Sequence, residues 1–97
     1  MKKQTHETEK GFMLAVIELA KLKGWKYYHT YSSMRSVAGF PDLCMCRDNR
    51  IIIAELKTAK GKTTVEQEKW LEKLNNTPAA VYIWRPSDWE LIEKVLR

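Results

Sequence analysis

Apolar residues recur along the first third of the chain at the spacing of one helical face. Phe12, Ala15, Val16, Leu19 and Ala20 form the stripe, with Lys10, Glu18 and Lys21 off it. Thr8 has the chemistry to cap this helix and Gly24 to end it. Trp25–Thr30 is aromatic and β-rich, which predicts a strand, and Tyr31–Gly39 is polar, small and glycine-terminated, which predicts a loop. Phe40–Cys46 and Ile51–Lys57 read as two further strands joined by Arg47-Asp48-Asn49-Arg50. Asp-Asn at the centre of such a segment tolerates the positive φ angles that a tight hairpin requires. Thr64-Val65-Glu66-Gln67 has the form of a capping box. It opens a helix whose inner stripe is Gln67, Trp70, Leu71 and Leu74. Asn75–Pro78 ends that helix, and Ala79–Trp84 is an apolar strand. Ser87-Asp88-Trp89-Glu90 reads as a second capping box, before a final helix carrying Leu91, Ile92, Val95 and Leu96.

The predicted order is therefore α-β-β-β-α-β-α. Ile51 to Trp84 is long enough for a right-handed β-α-β crossover, so the sheet should be mixed, four-stranded and flanked by helices. An α/β fold in one domain over residues 1–97 is expected, since this length leaves little room for a second. Folding at this size buries roughly 60–70% of the extended chain's surface, and four Trp, four Tyr and two Phe supply area to fill a core.

Charge adds a partner to this picture. The formal net charge is +5, and residues 1–62 carry 12 Lys/Arg against 6 Asp/Glu, whereas residues 63–97 carry 5 against 6. A basic, lopsided chain points to a polyanion, most often nucleic acid. No apolar stretch is long enough to cross a bilayer, and the charged MKKQTHETEK start has no apolar run behind it, so neither a membrane span nor a signal peptide is expected. Cys44 and Cys46 are too few for a disulfide framework. A cytoplasmic protein is the expectation.

Placing Asp48-Asn49 at the hairpin turn sets Cys46 opposite Ile51, Cys44 opposite Ile53 and Asp42 opposite Glu55. Directly opposed residues share a face, with Cβ atoms about 4.5–5.5 Å apart. Two carboxylates so placed repel, and a divalent cation between them removes the repulsion. Hard cations such as Mg²⁺ take oxygen ligands, commonly one or two carboxylates plus substrate phosphate. Lys57 lies two residues beyond Glu55 and so on the same face. An ammonium there can position water or stabilise charge developing on a phosphoryl group.

Gly39-Phe40-Pro41-Asp42 followed by Ala54-Glu55-Leu56-Lys57 resembles the signature of the PD-(D/E)XK nucleases. The longer pattern resembles the VRR-NUC branch of that superfamily, the virus-type replication and repair nucleases. Thr8-Glu9 before an apolar helix is similar to its N-terminal acidic position, and Gln67 before Trp70-Leu71 to its helix motif. Val81 to Trp89 is similar to its closing strand and turn. The resemblance covers about residues 8–97 and implies a restriction-endonuclease-like core. It implies Asp42 and Glu55 as metal ligands, with the backbone carbonyl of Leu56 as a third, and Lys57 as the catalytic lysine. Glu9 is implied as a helper carboxylate, direct or through water, although Glu7 is two residues away and helix phase does not choose between them. Gln67 is implied as a support for the site.

The activity so implied is hydrolysis of DNA phosphodiester bonds with Mg²⁺ or Mn²⁺, leaving 5′-phosphate and 3′-hydroxyl ends. Branched or junction DNA in replication, repair or recombination is the implied substrate. A stand-alone copy this short looks phage-like and is expected to pair as a homodimer in the cytoplasm of a bacterial or phage-infected cell. The alternative is a non-catalytic nucleic-acid-binding module that keeps the fold, and divalent-metal dependence separates the two.

Arg35, in the loop leading to Asp42, and Lys60 and Lys62, after Lys57, are candidate phosphate contacts. Gly61-Lys62-Thr63 is not a P-loop, because Leu56 stands where that pattern needs glycine. Cys44-Met45-Cys46 cannot fill a tetrahedral zinc site and is expected to be buried packing. His29 among Tyr27, Tyr28 and Tyr31 suggests core or subunit-interface packing before base stacking.

Overall fold

The computed structural model describes residues 8–31 and 36–97. The first helix, α1, spans Glu9–Leu22; the Thr8 side chain caps it by accepting the Gly11 N–H at 3.0 Å. Past its end Gly24 adopts φ +84°, a conformation that L side chains rarely take. Strand β1 (Lys26–His29) is followed by β2 (Leu43–Arg47) and β3 (Arg50–Leu56). The two-residue turn between the last two contains Asp48 at φ +55°. Helix α2 (Val65–Asn75) opens with both halves of its capping box: Gln67 N–H to Thr64 Oγ1, 3.1 Å, and Thr64 N–H to Gln67 Oε1, 2.9 Å. Strand β4 (Ala80–Trp84) and helix α3 (Trp89–Leu96) complete the order.

The sheet order is β1-β2-β3-β4, antiparallel except where the crossover through α2 lays β4 parallel to β3. Side-chain alternation gives this sheet two different faces. Leu43, Met45, Ile52, Ala54, Leu56 and Trp84 point to one and are buried with Phe12, Val16 and Ala20 of α1 and Trp89, Ile92 and Leu96 of α3. That is the core. Among the described residues the opposite face is covered only on its β3–β4 half, where Leu71 of α2 is buried close to Val81 and Ile83. Over β1 and β2 no described helix covers it.

At the far end of the hairpin, Arg47 donates to Lys23 O at 2.8 Å and Leu96 O at 3.2 Å, and its guanidinium stacks over Trp25. A cation on two helix C-termini suits the dipoles of both.

Four expectations change. The predicted strand Phe40–Cys46 begins only at Leu43, because Pro41 lacks an N–H and the Asp42 side chain, in place of the Pro41 carbonyl opposite, takes the Leu56 N–H. No capping box forms at Ser87: Pro86–Asp88 is a 3₁₀ turn, and Asp88 Oδ2 accepts from the Arg85 N–H at 2.9 Å. Cys44 is half-buried and Cys46 exposed, since both lie on the open face while Met45 points into the core. Core packing of Tyr27, Tyr28 and Tyr31 fails, since all three are exposed: Tyr27 lies on an edge strand that the core helices only partly cover, and Tyr28 shares the open face with Cys44. No helix among the described residues is long and apolar enough to cross a membrane.

Candidate active site

The hairpin register runs through Cys46–Ile51 and Cys44–Ile53 to Leu43–Ala54, and Asp42 stands one residue beyond the ladder's end. Its carboxylate crosses to β3, where Oδ2 accepts the Leu56 N–H at 2.8 Å. On the other side the Asp42 carbonyl accepts the Thr30 N–H at 2.9 Å, and Thr30 Oγ1 donates to Pro41 O at 3.0 Å. Asp42 is thus held by both neighbouring strands.

The loop before it is fastened to α2. Gly39 has φ +97°, and a Cβ there would lie 2.6 Å from the Glu66 backbone. Only glycine permits both the conformation and the approach. Trp70 adds two ties, its indole N–H to Ala38 O at 3.2 Å and its ring edge-on to Phe40 at 5.1 Å.

Glu55 is 1% exposed, an unusual setting for a carboxylate. Its Oε2 accepts Gln67 Nε2 at 3.0 Å and faces Lys57 Nζ at 3.4 Å. Its Oε1 accepts no hydrogen bond from any described residue. Burial raises the Glu55 pKa to about 7, the Asp42 carboxylate adds to the rise, and Lys57 opposes it. Glu9, in the first turn of α1, is raised for the same first reason, then by Asp42, with Lys57 again opposing. One carboxylate oxygen each from Glu9, Asp42 and Glu55 lie within 4.8 Å of one another. α1 therefore delivers Glu9 to the end of the sheet; Glu7 lies outside the described residues.

Three carboxylates, one of them with a buried oxygen that no described residue satisfies, form an all-oxygen donor set of the kind that hard divalent cations take. Glu9, Asp42 and Glu55 are the residues able to hold one. Leu56 lies between Glu55 and Lys57 on β3 and uses its N–H on Asp42.

Lys60 and Lys62 are exposed on the loop after β3. Arg85 closes that loop, with Nη1 donating to Thr58 O at 2.6 Å and Gly61 O at 2.7 Å. Arg35 lies outside the described residues. Sequence reading missed Arg85 and Thr30, since bonds from a side chain to a distant carbonyl leave no periodic trace. Trp70 and Phe40 were visible as apolar positions, but not as the fastening between loop and helix.

No family model matches the chain, and no curated protein matches it. A solved structure described as a VRR_NUC domain protein superposes with a TM-score of 0.70 at 20% identity, over 97% of this chain and 87% of that one. The mixed sheet and its flanking helices are therefore an α/β fold shared with that protein.

Proposed function

We propose that this chain is a divalent-metal-dependent endonuclease hydrolysing DNA phosphodiester bonds. The observation that carries the reading is Glu55, a carboxylate buried beside Asp42 and Glu9 with one oxygen that no donor among the described residues reaches. Burying such a group against two like charges is costly unless something positive joins them. The buried Lys57 offsets part of that cost, but it sits on the other oxygen. The nuclease-like fold and the basic charge of residues 1–62 support the same reading.

Glu9, Asp42 and Glu55 would hold Mg²⁺ or Mn²⁺, with the Leu56 carbonyl as a further ligand on the strength of the family resemblance. A cation bound there would supply Lewis acidity, lowering the pKa of a water and offsetting charge on the phosphate. The protein's own part is positional. The Leu56 N–H fixes Asp42, and the Gln67 amide fixes Glu55. The Lys57 ammonium, only 8% exposed, is placed to orient the nucleophile or to meet negative charge in the transition state. Lys60 and Lys62 contact the DNA backbone, as does Arg35 on the reading of its place in the sequence.

The substrate is branched DNA, and the working unit is a homodimer, which brings two such sites to two strands. Labelled branched and linear DNAs, incubated with Mg²⁺, Mn²⁺ or EDTA, test the activity. Cleavage that needs the metal supports it. Metal-independent binding with no cleavage of any substrate would instead make the chain a binding module on a nuclease fold. Light scattering near 11.4 kDa at all micromolar concentrations would rule out the dimer.

A further inference from the structure

The open half of the sheet carries a groove of about 350 Å³ that runs up to the carboxylate cluster. The register explains its construction. Tyr28 pairs with Cys44, and Thr30 meets Asp42, so Tyr28 stands on the same face as Asp42, one pair along β2. Across the groove is α2, where Trp70 follows Gln67 by one turn. Asp42 and Gln67 line this groove together with Tyr28, Phe40 and Trp70. The groove and the proposed metal site therefore share Asp42, and the groove's Gln67 holds Glu55.

We propose that this groove receives the base of an unpaired nucleotide next to the cleaved phosphate, stacked against Tyr28 and Trp70. The inference rests on the nuclease reading for the position of that phosphate. With the phosphate at Asp42, the flanking nucleotide on one side has the groove as its nearest surface. The walls are aromatic: Tyr28 is 66% exposed, and Trp70 is held by Ala38 and Phe40. Such rings offer a π-face, and a base within a continuous duplex has both of its own faces occupied by its neighbours. Only a splayed or single-stranded base can fill the site.

Three polar side chains of the groove are engaged within the protein. The Gln67 amide bonds Glu55 and Thr64 with its two ends, the Trp70 N–H bonds Ala38 O, and the Thr30 hydroxyl bonds Pro41 O. With these engaged, the aromatic faces of Tyr28 and Trp70 carry the recognition, which is by stacking and tolerates sequence. The site thus selects DNA that exposes an unstacked base, as at a flap, a gap or a branch point.

The test uses oligonucleotides with a single abasic or 2-aminopurine residue moved across the positions around the cleaved bond. Binding is read in Ca²⁺, which commonly permits binding without chemistry, and cleavage in Mg²⁺. An abasic residue at one position beside the cleaved bond should weaken binding about 10-fold or more. Tyr28→Ala should bind intact DNA as weakly and be indifferent to the abasic residue, while Tyr28→Phe keeps the wild-type pattern. Equal affinity for every abasic substrate, or a full abasic penalty in Tyr28→Ala, would overturn the proposal. Metal-dependent cleavage with no abasic effect removes the groove and leaves the nuclease standing. A position-specific 2-aminopurine signal without cleavage in any metal does the reverse.

Discussion

Gln67 ties Glu55 to the first turn of α2, donating Nε2 to Glu55 Oε2 at 3.0 Å while its Oε1 accepts the Thr64 N–H at 2.9 Å. One side chain thereby caps a helix and orients the most buried carboxylate of the cluster. The two roles come apart under substitution. Gln67→Ala should lose the reciprocal cap, about 1 kcal/mol of stability, and most cleavage. Gln67→Glu should keep the cap, because glutamate serves at that position, yet set another carboxylate against Glu55. Melts of that variant in EDTA should match wild type at pH 5 and fall below it at pH 8, with cleavage reduced. Wild-type cleavage by Gln67→Ala would leave Gln67 a capping residue alone.

Glu55 makes the metal-free protein sensitive to pH. Its folded pKa of about 7 lies above the usual carboxylate value of 4.5, so folding takes up a proton between those limits. The stabilising contribution is full below about pH 4.5 and is lost as pH rises through 7, at a cost of about 3 kcal/mol. Thermal melts in EDTA should therefore fall between pH 5.5 and pH 8, and Glu55→Gln should flatten that fall. Mn²⁺ should bind more tightly at the higher pH, since it competes with the proton, and should release protons on binding. A melting temperature independent of pH would remove the proton from Glu55.

Much of this arrangement is legible in the sequence because it is local. The Asp48-Asn49 turn sets the hairpin register, which carries Asp42 to Glu55 by counting, and Thr64 with Gln67 announces α2. Three kinds of information lie beyond counting. Whether Glu9 or Glu7 approaches the cluster depends on the angle at which α1 crosses the sheet, a matter of packing. The end of β2 depends on a side chain replacing a ladder bond, as Asp42 does at Leu56. Burial of a strand's second face depends on which helix covers it. Thus Cys46 was expected in a core and stands on the open half of the sheet, whereas Ile53, on that same face, is buried.

Arg85 should act on DNA binding through the loop it closes. Removing its bonds to Thr58 O and Gly61 O frees the segment that carries Lys60 and Lys62. Arg85→Ala should cost about 1–3 kcal/mol in denaturant unfolding, as for hydrogen bonds from a charged donor. It should also weaken DNA binding without touching the carboxylates, and leave Mn²⁺ affinity unchanged. Loss of Mn²⁺ binding in this variant would show that the loop supports the metal site as well.

Direct backbone contacts leave a different mark. Lys60→Ala, Lys62→Ala and Arg35→Ala should each weaken binding to all sequences alike. Each should also lower the salt dependence by about one unit of slope per lost contact. An unchanged slope in all three would move the DNA to another surface.

The decisive set is Asp42→Asn, Glu55→Gln, their double variant and Lys57→Ala. Asp42 and Glu55 come together at the end of one hairpin, with Glu9 completing a group of oxygens within 4.8 Å. If one cation joins them, neither carboxylate holds it usefully alone. Each single variant should then lose cleavage and Mn²⁺ binding, and the double variant should be scarcely worse, because residues acting as a unit are not additive. Folding without metal should survive. An asparagine at position 42 still offers an oxygen to the Leu56 N–H, and Glu55→Gln removes a buried like charge. Lys57→Ala should differ from both: Mn²⁺ and DNA still bind, while turnover falls by orders of magnitude. Its stability should also drop, since Glu55 Oε2 loses the ammonium at 3.4 Å. Calorimetry with Mn²⁺, melts in EDTA and single-turnover cleavage separate these effects. Wild-type cleavage by Asp42→Asn or Glu55→Gln would end the catalytic assignment. Unfolding of both in EDTA would show instead that the carboxylates hold the sheet end together.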